Sequence, residues 1–307
     1  MSIIVSAIGQ GLLWGILGIG LFLTFRVLDF PDMTVEGSFP LGAAVSVAAI
    51  THGVSPLLSL VLAFGAGMLA GLATGLLYTK GKVPVLLAGI LVMTALYSIN
   101  QHILGRANLS LLNQPNMFKN NFLASLPPYF DSIFVGVGAI IIIAILLMWF
   151  LQTNLGQAFI ATGDNEIMAQ SLGVHTDAMK NMGLMVANGL VGLSGALIAQ
   201  NNGYADVNQG IGVIVIGLAA IIIGEVVFGE LTLNQRLVAT ALGSILYRFV
   251  LLIVLGLGFG DEDLKLISAV VLAVMLMVPT VESRFRLKRA LRKGIESQPA
   301  KETDSHE

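Results

Sequence analysis

The sequence predicts an all-α polytopic membrane protein, and three observations carry that expectation. Of its 307 residues 56% are hydrophobic and only 11% are charged, with a mean hydropathy of +0.87, whereas a soluble domain is about 25% charged. The apolar residues gather in runs close to the roughly 20 that a helix needs to cross a hydrocarbon core of about 30 Å. The 16 Lys and Arg and the 18 Asp and Glu sit mainly between those runs. A water-soluble globule is excluded, and so is the continuous basic field that nucleic acid requires.

About nine transmembrane runs emerge in chain order: 3–25, 37–51, 57–78, 84–104, 132–151, 179–200, 210–228, 237–258 and 264–281. The first is free of cations until Arg26 at its far end, which fits an N-terminal anchor better than a cleaved leader with a basic start. The second is short, and as a helix would rise only about 22 Å. Either it tilts together with its flanks, or the chain over 29–42 is a broken, partly re-entrant element after the first helix. Pro40 supports a break because it withholds one helical hydrogen bond, and irregular backbone at membrane depth survives only beside protein or a wet cavity. The repeats Gly11/Gly15 and Gly67/Gly71/Gly75 place small residues on one helix face, and simple close packing is the preferred reading. The membrane domain covers 1–281, and a basic-to-polar tail occupies 282–307.

Orientation is set by the cations. With the tail in the cytoplasm, Arg26, Lys80, Lys82, Lys180, Arg236 and the tail cations between 284 and 301 fall inside, and Arg106, Lys119 and Lys265 fall outside. Nine crossings then put the N-terminus outside. Two loops are long enough to act. The outer one, 105–131, is rich in Asn and Pro and reads as an ordered cap or an irregular segment. The inner one, 152–178, alternates apolar and polar residues at helical spacing. Asp164 is its expected N-cap and Gly173 its stop. Its polar face lacks the Lys and Arg of a helix lying on headgroups, so docking onto a partner is favoured.

Other residues leave alternatives open. Asp29, Asp32 and Glu36 mark either a broken helix beside a translocation path or a solvated turn near Arg26. Glu225 and Arg248 lie inside spans, where an isolated charge costs from about 2.5 kcal/mol upwards, so each needs a partner. From the turn at 230–235 Glu225 stands a few residues up helix seven and Arg248 about twelve up helix eight, roughly 18 Å by rise, so the two are not at the same depth and a structural role is favoured. The polar turn at 200–209 is either a landing place for a solute or an ordinary wet loop.

Enzyme chemistry finds no support. The sequence holds no Gly-x-x-x-x-Gly-Lys-[Ser/Thr] phosphate loop and no Cys, and its four His are scattered without clustered carboxylates, so no metal site is expected. No Ser-His-Asp set converges within the spans.

Three segments carry a family resemblance. Residues 161–174, ATGDNEIMAQSLGV, resemble the coupling segment of permease subunits of ABC importers of the branched-chain amino acid and ribose class, through Gly163, Asn165, Ala169 and Gly173. Residues 30–43, FPDMTVEGSFPLGA, are similar to that family's motif after its first long helix, and 218–229, LAAIIIGEVVFG, to its late Gly-rich helix. The spelling is similar to a subgroup associated with tryptophan uptake.

The resemblance implies a bacterial cell-membrane subunit that moves a small solute, most simply an amino acid. It implies a cytoplasmic ATP-binding subunit holding ATP and Mg, with no cofactor on this chain. An extracytoplasmic solute-binding protein and a second permease copy complete the expected assembly. Coupling would run through Gly163, Asp164, Asn165, Glu166, Ala169, Leu172 and Gly173. The candidate solute path is Thr34, Glu36, Gly37, Asn100 and Asn188. The competing reading is an ion-coupled secondary transporter using Glu225 or the Asp29–Glu36 acids.

Overall fold

The structure is a computed structural model and describes residues 2–112, 114–119, 130–229, 231–256, 260 and 263–277. The tail at 282–307, the end of the last apolar run and part of the 105–131 loop lie outside the described residues.

The helices are α1 (Ser2–Phe22), α2 (Val35–Thr51), α3 (Pro56–Thr79), α4 (Val85–Leu104), α5 (Phe130–Gln152), α6 (Asn154–Asp164), α7 (Glu166–Ser171), α8 (Thr176–Asn202), α9 (Val213–Phe228), α10 (Leu233–Gly256) and α11 (Leu264–Met277). Seven spans are long and apolar enough to cross a membrane, and α2 and α11 are apolar but shorter. The seven long spans coincide with seven of the nine apolar runs, and the two short helices with the others.

The irregularity expected around Pro40 lies further upstream. α1 ends in a π-helical turn, Leu23–Val27, and Asp29 takes a left-handed φ of 51° as the chain reverses toward α2. α2 itself runs through Pro40 unbroken. Proline frees the Glu36 carbonyl from its helical partner, and Gly210 packs against that oxygen so closely that a Cβ there would run into it.

α8 is the centre of the fold, packed along α1, α2 and α3. Small residues make this possible. Gly67, Gly71 and Gly75 of α3 lie against the backbone or side chains of Asn188, Leu184 and Asn181, so the packing reading of that stripe holds. Gly42 of α2 meets the Gly192 carbonyl in the same way. Gly11 and Gly15 seat α1 on Ile245 and Ser244 of α10.

The far end of α8 is not a loose wet turn. β1 (Asn108–Ser110) pairs antiparallel with β2 (Tyr204–Asp206), with Leu109 opposite Ala205. Gln200 is fully buried there. Its Nε2 donates to Ser46 Oγ and Ser59 Oγ at 3.0 Å each, and its Oε1 accepts from the Met117 amide at 3.0 Å. One amide side chain thereby ties α8, α2, α3 and the 105–131 loop together.

Candidate functional site

Asp32 opens a buried polar network. Its Oδ1 accepts the Thr34 amide at 2.9 Å, which turns the chain into α2. Its Oδ2 accepts Asn188 Nδ2 at 2.6 Å. Asn188 Oδ1 in turn accepts the Ser38 hydroxyl at 2.6 Å, and Thr34 and Thr74 share a hydroxyl contact of 2.6 Å. Asp32, Thr34, Ser38, Thr74 and Asn188 are all fully buried. Burial pushes the Asp32 carboxyl above its ordinary value, against the pull of the hydrogen bonds from Thr34 and Asn188.

The candidate path residues therefore divide. Thr34 and Asn188 belong to this network. Asn100 donates to the Gly37 carbonyl at 3.2 Å. Glu36 stands apart and half-buried, its Oε1 accepting the Gly212 amide at 3.0 Å, and so pins the start of α9 to α2. A cavity of about 650 Å³ lies elsewhere, against Leu57, Phe64, Phe134, Ile142 and Leu193. Asp32, Gln200 and Lys180 also organise the interior, through bonds to Thr34 and Asn188, to Ser46, Ser59 and Met117, and to Tyr78 and Glu166. The Asp-x-Thr turn signal at 32–34 was the clue available for the first.

The inner segment is two helices. α6 runs through Asp164, so Asp164 cannot cap α7. Asn165 takes the extended backbone that an N-cap needs, with φ −158° and ψ 99°, and its Oδ1 accepts the Met168 amide at 3.0 Å. Gly163 makes no turn either. It is helical, and a Cβ there would run into the Val27 carbonyl, so it docks α6 onto the π-helical turn. Gly173 does turn, at φ +86°, while the Val174 amide reaches back to the Ala169 carbonyl at 3.0 Å, as a Schellman ending requires.

Between these ends Ala169 is turned inward, 1% exposed, whereas Ile167, Met168 and Leu172 are 78%, 61% and 73% exposed. The apolar surface that α7 offers outward is this trio and does not include Ala169. Glu166 meets Lys180 Nζ at 2.6 Å. Lys180 is buried and donates to the Tyr78 hydroxyl at 3.1 Å, which links α7 to α8 and α3.

The two intramembrane charges do not pair with each other. Glu225 forms an ion pair with Arg26 and lies 4.0 Å from Arg236. Arg248 stands with its Cζ 4.9 Å from the centre of the Trp14 ring.

Comparisons with known proteins identify the family. The family model described as "Branched-chain amino acid transport system / permease component" matches residues 3–279. The chain is 41% identical over 276 residues to a tyrosine transport system permease protein of Clostridioides difficile, covering 90% of this chain and 91% of that one. It is 33% identical over 284 residues to the uncharacterized protein RP368 of Rickettsia prowazekii, covering 90% and 97%. It is 25% identical over 253 residues to the galactofuranose transporter permease protein YtfT of Escherichia coli, covering 80% and 71%. Such permeases are not enzymes, since ATP hydrolysis resides on a partner subunit. On the family match over nearly its whole length, this multi-pass membrane protein belongs to the permease components of the branched-chain amino acid class of ABC transport systems.

Proposed function

We propose that the solute is an amino acid and that the chain imports it as one half of a homodimer, with the N-terminus outside and the C-terminus cytoplasmic. An extracytoplasmic binding protein would deliver the solute, and a cytoplasmic subunit holding ATP and Mg would drive the cycle. The name of the 41% identical relative supports the amino acid. The Asp32–Asn188 network, at the meeting of α2, α3 and α8, is the element whose rearrangement would open a path past Thr34, Gly37 and Asn100.

The observation that carries the coupling is α7. A six-residue helix presents Ile167 and Met168 outward together with its C-cap Leu172; such an exposed apolar group fits a protein or a membrane surface, and the lack of Lys and Arg on its polar face favours the protein. Its inner side is tied through Glu166 and Lys180 to α8, the helix that holds Asn188. A push on α7 therefore reaches the network along a single rigid helix.

The test is Leu172→Glu, assayed by co-purification of the ATP-binding subunit and by ATP-driven tyrosine uptake in proteoliposomes. We expect loss of the subunit and of uptake, with the permease still monodisperse. Full retention of both would sink the assignment of α7. Ala169→Arg is the poorer test, because it forces a charge into the fold itself.

A further inference from the structure

Among the described residues, three cations near the spans have carboxylate partners. Arg26 and Arg236 share Glu225, and Lys180 has Glu166. Arg248 has no carboxylate within ion-pair distance among the described residues, and its Nε is buried without a hydrogen-bond partner. It lies eight residues inside the Gly256 end of α10, about 12 Å along the helix, where an unpaired charge is costly and so points to a functional role.

An aromatic face holds Arg248. Its guanidinium carbon is 4.9 Å from the centre of the Trp14 ring, and Trp14 stacks on Phe39 at 5.3 Å with 22° between the planes. The helices meet there because Gly11 lets α10 approach α1: a Cβ on Gly11 would stand 2.8 Å from Ile245 Cα. Cation–π contact engages one face of the guanidinium. Nε is buried, and the Nη pair at the end of the guanidinium is suited to a carboxylate held by two parallel bonds.

We propose that Arg248 on its Trp14 seat is an anion receptor of the permease, taking the carboxylate of the transported amino acid. The inference rests on the proposed amino-acid solute. Arg26 does not serve the same purpose, because its charge is already met by Glu225. A lipid phosphate offers related chemistry, and the test separates the two.

The chain contains no Cys, so Arg248→Cys carries a single thiol. The variant is reconstituted with its ATP-binding subunit and loaded binding protein in phosphatidylcholine vesicles, with and without phosphatidylglycerol. Tyrosine uptake should fall by about tenfold or more, the scale of a lost hydrogen bond to a charged group. Ethylammonium methanethiosulfonate should restore much of it by returning a cation to the folded protein, and the ethylsulfonate reagent should not. Tyrosine should slow the modification and tyrosinamide, which lacks the carboxylate, should not.

An unreactive thiol, equal effects of the two reagents, or equal protection by tyrosinamide would overturn the proposal. Protection that tracks phosphatidylglycerol instead of tyrosine would assign the site to lipid and overturn it as well. If the unmodified complex takes up no tyrosine, the solute assignment fails, and the receptor is then judged on the thiol with leucine and leucinamide in place of the tyrosine pair. Protection by leucine and not by its amide supports the receptor, and a thiol that is inaccessible or unprotected overturns it.

Discussion

α5 carries the more hydrophobic stretch and is only 22% buried within the protein, whereas the less hydrophobic α8 is 78% buried. In water the order would be reversed, because apolar residues go inside. A bilayer removes that drive, since lipid tails are as apolar as leucine, and helices associate through close packing and hydrogen bonds instead. α8 supplies both. Gly189, Gly192 and Gly195 let neighbouring helices approach, while Lys180, Asn188 and Gln200 each bond to another part of the chain. α5 turns Phe134, Ile142, Ile145 and Trp149 outward. Between these two helices burial follows small and polar residues, and the more hydrophobic one lies outside.

The sharpest way to break this contrast is to enlarge a glycine at the α2–α8 crossing. A Cβ on Gly42 would run into the Gly192 carbonyl oxygen, and backbone cannot swing aside as a side chain can. Gly42→Leu should therefore cost about 3 kcal/mol or more, read as a lowered unfolding midpoint in mixed micelles or as failure to remain monodisperse. A midpoint equal to that of the unmodified protein would show that the two helices do not rely on this approach.

A smaller effect is expected from Asn188→Leu, which keeps the branched side-chain skeleton while stranding Asp32 and Ser38. Leaving buried polar groups without partners costs about 1–3 kcal/mol, toward the lower end if the membrane-embedded unfolded state finds substitutes. The double variant with Asp32→Leu should lose less than the sum of the two single changes, because they remove the same bond. Strict additivity would argue that the network is not a unit.

Much of this fold was legible because its solvent is simple. Seven long spans and two short apolar helices follow directly from apolar run length, and the glycine stripe at 67, 71 and 75 revealed a packing face. The coupling segment was recognisable, but its geometry was not. Whether Asp164 or Asn165 caps α7 depends on where α6 ends, and α6 continues through Asp164 because Gly163 docks against Val27, a contact between residues distant in the chain. The inward turn of Ala169 likewise depends on how α7 sits on the rest of the molecule. Glu225 clearly needed a partner, yet helix periodicity cannot show that the π-helical turn after α1 brings Arg26 to it. Local pattern located the elements, and long-range contacts decided which side chains became the site.

The smallest effect belongs to α5. Ile142 is exposed and lines the cavity beside α3, and it stands on the outward side of α5 in a single copy of the chain. Truncating it to Ala removes methylene groups that touch lipid in both the folded and the membrane-inserted unfolded state, so the transfer terms largely cancel. The expected cost is within about 0.5 kcal/mol, the range of changes away from special features, and the unfolding midpoint should barely move. A loss comparable to that of Asn188→Leu would mean that protein covers this face. The second permease copy would then pack on α5, and dilution of the complex should lower the midpoint of the unmodified protein while leaving that of Ile142→Ala less sensitive to concentration.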